Sequence, residues 1–352
     1  MIDSSYQSLS KQLEDLIDYI DNNNKMKVFI NDVQKEESQF KQYSLWLGFN
    51  TLQSRVFEYN SYIISLYGFF EQFIENILSE YIEEICSLHK EFKHLPKEII
   101  ENNVKKTAEL LTLLDLPKYK GVDENQLIKK LYNNTTGKKL EINTIAFCHH
   151  SANFRISTIC DYFKSVGVNN LGKDVGYYEP LNNRLLYRHG NFSSLPLSKV
   201  FDIIDELAER RNHIAHGVDS DDILDSDEVI NICRFIKDFS SSLNLFLNHS
   251  VLERIITTNN DSLVMNKVEL PILNVFGNKV LCINSNNLNI SLSSKIVIVR
   301  DLKEKYKIAN IEEMQESSKS IESVDITKSV DIGLKLSESI KHTNTFYLLE
   351  YH

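Results

Sequence analysis

Proline and glycine are scarce, five and eleven in 352 residues. That excludes collagen-like and Pro/Gly-rich disordered chains, and no internal repeat or low-complexity segment is present. Cysteine is scarce too. Cys86, Cys148, Cys160, Cys233 and Cys282 are odd in number, widely spaced and free of any C-x-x-C pair. A disulfide framework is excluded, and a reduced, cytoplasmic protein is expected. No apolar run reaches about 18 residues, so no membrane helix and no membrane partner are expected. The first residues are acidic and polar, unlike a signal peptide. An excess of basic charge is missing as well. The chain carries a net −10, and neither the first 251 residues nor the remainder is net basic. Bulk charge therefore argues against nucleic-acid binding, and any RNA contact has to rely on a few local Arg and Lys residues.

What is present is an ordinary globular composition, 42% hydrophobic and 25% charged, enough for a large core. Residues 1–250 read as helical and 252–352 as strand-rich. Helices are expected over Ser8–Asp21, Met26–Tyr43 and, most strongly, Arg55–Leu88. In the last, Ile63, Leu66, Tyr67, Phe70, Phe73, Ile74, Ile77, Leu78, Tyr81 and Ile85 recur at three and four residues. Shorter helices are expected between about 97 and 135 and over Ser151–Val166. A loop with Gly172, Gly176 and Pro180 follows. A helix from an N-cap at Ser198 to His216 stops at Gly217, and a final helix covers Asp227–Asn248. Beyond residue 252, seven short Val-, Ile- and Thr-rich segments separated by Asn-Asn, Gly-Asn and Ser-Ser suggest a closed barrel or sandwich.

The informative string is Arg210-Arg211-Asn212-His213-Ile214-Ala215-His216-Gly217. On a regular helix Arg211 falls about 20° from Val200, among Ile204, Leu207, Ile214 and Ala215. A guanidinium on an apolar stripe needs a carboxylate, a set of carbonyls or a phosphate. His216 ends the helix, where free carbonyls favour a cation. Cleavage of RNA through its 2′-hydroxyl needs a base and an acid working near neutral pH, and a cation for the charge building on phosphate. His supplies the first, Arg the last, and the Asn212 amide can orient either; no metal or other cofactor is required. An isolated Arg and His in the last turns of a helix, however, also simply complement its dipole.

The same string resembles the signature of the RiboL-PSP-HEPN family. Leu66-Tyr67-Gly68-Phe69-Phe70-Glu71-Gln72-Phe73-Ile74 resembles that family's first core helix. Asn153-Phe154-Arg155 with Val166-Gly167-Val168 resembles its middle helix. The resemblance covers roughly 50–250. It implies a four-helix-type bundle and a metal-independent endoribonuclease with Arg211, Asn212 and His216 catalytic. It also implies a homodimer that brings two motifs together. On a regular helix Arg211 and His216 point about 140° apart, which a two-fold arrangement would reconcile. A related HEPN type has a Tyr two residues after the motif His; here that residue is Val218, so control through that position is not expected.

Other signals leave alternatives open. Glu71 is either a solvent-facing flank of its helix or a buried supporting partner for Arg211 or Arg210. Arg184, Arg188 and His189 belong either to a polar surface loop or to an RNA-binding patch. Cys148-His149-His150 with Cys160 lacks zinc-site spacing, and the acidic run Asp219, Asp221, Asp222 and Asp225 lacks that of a calcium loop. That run is better placed at the start of the next helix.

Three stretches of the C-terminal part, Ser293–Val299, Tyr306–Ile311 and Val330–Leu336, with the closing Thr345–Leu349, resemble the second, β-barrel domain of elongation factor Tu. Ser293 and Ser294 stand where that family has turn glycines, so no individual binding residue carries over. The combined expectation is a mainly α protein: an HEPN-type helical domain over 1–250 followed by a small β-barrel over 252–352. It cleaves RNA, tRNA as first choice, with a possible translation-factor or ribosome contact, as a toxin or antiviral defence effector. The rival is a non-catalytic HEPN module that binds RNA or protein and docks through the barrel.

Overall fold

The structure, a computed structural model, describes residues 2–36, 52–217, 222–300, 305–324, 327 and 329–351. The helical part is built on four helices. α1 (Ser4–Glu36) is one continuous helix where two were expected, and the expected extension to Tyr43 lies outside the described residues. α2 (Leu52–Leu88) follows the expected stripe: Ile63, Leu66, Phe70, Ile74, Ile77, Tyr81 and Ile85 are all buried. At 37 residues it spans about 55 Å, the full length of the bundle.

Smaller helices hang on this frame. α3 (Lys97–Leu111), α4 (Glu124–Thr136) and α5 (Thr144–Phe147) enclose a satellite core of Leu110, Tyr119, Leu127 and Ala146. α6 (Ile156–Lys164) matches the expected middle helix but starts later. The segment expected as a loop contains α7 (Leu171–Asp174), a 3-10 turn over Val175–Tyr177 and α8 (Leu181–His189). Gly172 and Gly176 lie in tight surroundings, where a side chain would make its neighbours shift. An added Cβ would meet Leu197 at 2.6 Å in the first case and Leu185 at 3.1 Å in the second.

The motif helix also differs from expectation. It is two helices, α9 (Leu197–Val200) and α10 (Asp202–Ala215), broken at Phe201 with φ −114° and ψ 27°. Ser198 is therefore inside α9, and Pro196 occupies the N-cap. Phe201 is fully buried, so the break lets its ring enter the core. α11 (Ser226–Thr257) completes the four. It starts with a capping box in which Asp225 and Glu228 bond each other's backbone N–H groups. It runs nine residues past the expected Asn248. α2 packs against α1, α10 and α11, and α11 also packs against α1 and α10. Among the described residues no helix is long and apolar enough to cross a membrane.

From residue 265 the chain forms a curled antiparallel sheet, a half-barrel. Its strands are β1 (Met265–Glu269), β2 (Ile272–Phe276), β3 (Val280–Asn284), β4 (Ile290–Ser291), β5 (Lys295–Val299), β6 (Tyr306–Glu316), β7 (Lys319–Ile321), β8 (Ser323–Val324), β9 (Asp331–Leu336) and β10 (Thr345–Tyr351). The order is β1-β10-β5-β6-β9-β3-β2, with β7 on β6 and β4 paired to β8. Three of the seven expected strands are split. The segment expected over Leu263–Val275 gives β1 and β2, separated at Pro271, which lacks an N–H. That over Leu288–Arg300 gives β4 and β5, separated by the turn after Ser291, and that over Ser320–Thr327 falls on β7 and β8, separated at Glu322. Among the described residues β1 and β2 do not pair, so the expected barrel takes the form of a half-barrel. β6 carries the curl: residues 306–310 pair with β5, 311–316 with β9, and the register shifts between Ile311 and Glu313.

The sheet is not a separate bead. Phe346, Leu348, Ile296 and Ile298 point into the sheet's own core. The alternate Leu349 and Val297, with Met265 and Tyr306, belong to the core of the helical part. Burial on both faces explains why Ile296–Val299 reads as an unbroken apolar run.

Candidate active site

The two arginines of the motif have opposite surroundings. Arg210 keeps only 12% of its side chain exposed and is saturated. It donates to Glu206 at 2.8 Å, to the Tyr59 hydroxyl at 2.9 Å and to the Asp222 carboxylate at 2.9 Å. Burial works against its charge, but these acceptors outweigh it and raise its pKa. It ties α10 to α2 and to the chain entering α11. Arg211 is half-buried and lies over the ring of Tyr67, 5.4 Å from the centroid. Its guanidinium also approaches the Asn212 Oδ1 at 3.5 Å. Among the described residues no carboxylate pairs with it.

Polar residues on a second stripe of α10 hold another segment in place. Asp205 accepts from the Ile156 N–H at 2.8 Å and caps α6; Glu209 pairs with Arg155; Asn212 accepts from Asn153. The spacing 205, 209, 212 is one face of a helix, so the motif helix clamps residues 153–156 three times. His216 continues that stripe by one more turn. Its N–H still bonds the Asn212 carbonyl at 3.0 Å, so it follows the helical screw, about 140° from Arg211. Its side chain is exposed. Gly217, at φ +64°, then ends the helix. His213 sits elsewhere, paired with Glu209 at 3.2 Å.

α2 provides the floor. The Tyr67 hydroxyl accepts from the Phe154 N–H at 2.9 Å and faces Asn153 Oδ1 at 3.3 Å. Burial pushes its pKa up to about 12, so it stays a neutral phenol. One and two turns along α2, Glu71 and Glu75 face His150, whose Nε2 is 3.5 Å from the first and 2.8 Å from the second. Lys118 reaches Glu75 at 2.5 Å. The expected pairing of Glu71 with an arginine is therefore not what the geometry contains. His150 takes that carboxylate, and Arg210 takes Glu206 and Asp222 instead.

Two other expectations change. Arg184 and Arg188 are on α8 rather than a loop, and carboxylates occupy both: Asp238 at 2.5 Å and Asp202 respectively. Cys148, His149 and His150 are each taken up by a hydrogen bond: Cys148 donates to the Glu75 carbonyl at 3.3 Å, His149 bonds the Tyr119 hydroxyl, and His150 bonds the Glu75 carboxylate. Among the described residues no three His, Cys, Asp or Glu side chains form a metal-sized group. Asp219, Asp221 and Val218 lie outside the described residues. The sequence named Tyr67, Asn153 and His150 only within longer strings, without a role at this site, and did not single out Glu75 at all. A helical wheel of α10 could have flagged the 205/209/212 stripe as polar where the neighbouring stripe is apolar. Nothing local could have named its partners.

The RiboL-PSP-HEPN family model matches residues 4–249, about two-thirds of the chain, and the protein belongs to that family. HEPN domains are generally ribonucleases, so the helical part is a nuclease- or RNA-related module. No curated protein and no solved structure matches the chain.

Proposed function

We propose that the protein is a metal-independent endoribonuclease that uses Arg211, Asn212 and His216. The observation that carries this reading is the difference between the two adjacent arginines. Arg210 is spent on Glu206, Asp222 and Tyr59, whereas Arg211 rests on an aromatic face with its charge unneutralised among the described residues. A half-buried cation kept free of carboxylates suits a phosphate as its counter-ion. In this reading the exposed His216 exchanges protons with the attacking 2′-hydroxyl or the departing 5′-oxygen, while Arg211 stabilises charge on the phosphate. The products are a 2′,3′-cyclic phosphate and a 5′-hydroxyl.

The unit is a homodimer in this reading, because Arg211 faces inward over Tyr67 while His216 points to solvent on another side of α10. A two-fold contact supplies each phosphate with an arginine and a histidine from different copies. Mixing an Arg211→Lys chain with a His216→Ala chain should recover part of the lost activity; a fully active monomer in sedimentation would refute the arrangement.

tRNA is the first-choice substrate, since the half-barrel resembles a translation-factor module that helps hold the aminoacyl end of tRNA. A contact with a translation factor or the ribosome, a cytoplasmic location, and a role as toxin or antiviral defence effector follow the same resemblances. The rival is a non-catalytic module that binds RNA or protein. Its protein-binding form is favoured by one fact, that Arg155, Arg184, Arg188 and Arg210 are all paired with carboxylates and so are poorly placed to hold RNA. Incubating the protein with total RNA in a chelator, and mapping 5′ ends, tests both readings. Cuts with 5′-hydroxyl ends support the nuclease. RNA retention without cuts supports the rival.

A further inference from the structure

An amide side chain has nearly the same outline either way round, so its orientation has to come from its hydrogen bonds. A chain of bonds anchored on a group that can only donate settles it, and such a chain runs into the motif. The Phe154 backbone N–H donates to the Tyr67 oxygen at 2.9 Å. That leaves the Tyr67 hydroxyl to donate onward, and Asn153 Oδ1 is 3.3 Å away. With its oxygen committed to Tyr67, Asn153 turns its NH2 group to Asn212, and Asn212 Oδ1 accepts. The Arg211 guanidinium approaches the same oxygen at 3.5 Å. Two donors on one oxygen force the Asn212 NH2 to face the other way, where no described residue accepts from it. Asn212 and His216 are four residues apart on one stripe, so the Asn212 side chain and the imidazole share one face of α10.

We infer, resting on the ribonuclease reading above, that Asn153 is a positioning residue that makes Asn212 a hydrogen-bond donor to the scissile phosphate. A phosphate gaining charge in the transition state is stabilised by donors and repelled by a carbonyl oxygen. The chain from Phe154 through Tyr67 and Asn153 selects which of the two Asn212 presents. Asn153 is held for this task. Its own carbonyl accepts from the Arg155 N–H at 2.9 Å, and its neighbours Arg155 and Ile156 are clamped by Glu209 and Asp205.

Asn153→Asp is the decisive variant. It keeps the size and the bond from Tyr67 but replaces the NH2 with a second acceptor. Asn212 then has to turn its NH2 inward and its oxygen toward the phosphate. The kcat for RNA cleavage should fall about 100-fold, the scale of one lost oxyanion donor, with KM changed less than about 3-fold. Asn153→Ala removes the bond without reversing the amide and should cost less than Asn153→Asp. A merely structural role predicts losses that track melting temperature instead. The deficit of Asn153→Asp relative to the unmodified protein should also shrink on acidification, as the new carboxyl gains a proton it can donate. A second measurement keeps the two readings apart. In protein labelled with 15N at asparagine, the Asn212 NH2 signals, identified by their loss in Asn212→Asp, should shift when a non-cleavable 2′-deoxy oligonucleotide is added. They should fail to do so in Asn153→Asp. If the unmodified protein cuts no RNA, the ribonuclease reading fails and the amide signals still decide the orientation. Asn212 signals identical in the two proteins, or full activity in Asn153→Asp, would overturn the inference.

Discussion

The Arg211 guanidinium lies over the Tyr67 ring, 5.4 Å from its centroid, where α10 crosses α2. An aromatic face attracts a cation without supplying a counter-ion. A carboxylate at the same place would hold Arg211 as firmly and cancel the charge a phosphate needs.

The two adjacent arginines should therefore fail in different ways. Arg211→Lys keeps the charge but loses the planar fork; cleavage should drop by about 100-fold or more with little change in melting temperature. Arg210→Ala should cost about 1–3 kcal/mol of stability, the scale of polar partners left unmatched, because Tyr59, Glu206 and Asp222 lose a common donor. Chemical denaturation and initial rates on the same samples separate the two. Equal stability losses in both variants would contradict the division of labour.

His216→Ala should abolish cleavage without unfolding the chain, since its side chain is exposed and its contribution to the helix is a backbone bond. His213→Ala removes only the pairing with Glu209 at 3.2 Å, and at least half of the activity should remain. The check is a cleavage assay in chelator. An inactive His213→Ala, or activity that requires added metal, would move the chemistry elsewhere.

Glu75 makes stability depend on pH. Burial alone would raise its carboxyl, but hydrogen bonds from His150 and Lys118 outweigh that and hold it below the ordinary glutamate range. A carboxyl depressed in the folded state contributes stability that is complete above its unfolded pKa and lost as pH falls through the folded one. Glu75→Gln should thus melt lower than the unmodified protein at neutral pH, and the two curves should converge on acidification. A gap that stays constant down to acidic pH would show that the ion pair is not its source.

Leu349 and Val297 face the helices, not the sheet's own interior. Leu349→Ala should destabilise the whole chain by about 2–4 kcal/mol in a single unfolding transition. The isolated 252–352 segment, which bares Met265, Val297 and Leu349, should self-associate. Two separate transitions, or a soluble monomeric segment, would mean that the half-barrel folds by itself.

Periodicity in the sequence was enough for α2, for most of α11 and for nearly every strand, because apolar spacing reports directly which side of an element is buried. The Arg211–His216 motif and the family resemblance were legible for the same local reason: the residues are contiguous. The break at Phe201 was not legible, since it depends on a ring finding space between other helices. Nor was the split between Arg210 and Arg211, two identical side chains with opposite surroundings. Tyr59, Asp222 and Tyr67 decide it, and they are 151, 12 and well over a hundred residues away. Hydrogen bonds and ring contacts act over a few ångströms, so which cation is spent and which is free depends on the partners that packing brings within reach. The same holds for the Asn212 amide, whose direction is set by Asn153, Tyr67 and the Phe154 N–H, and for the second face of the sheet. Sequence alone determined which residue types could do the chemistry. Tertiary structure decided their orientation and which of the charges is matched by a partner.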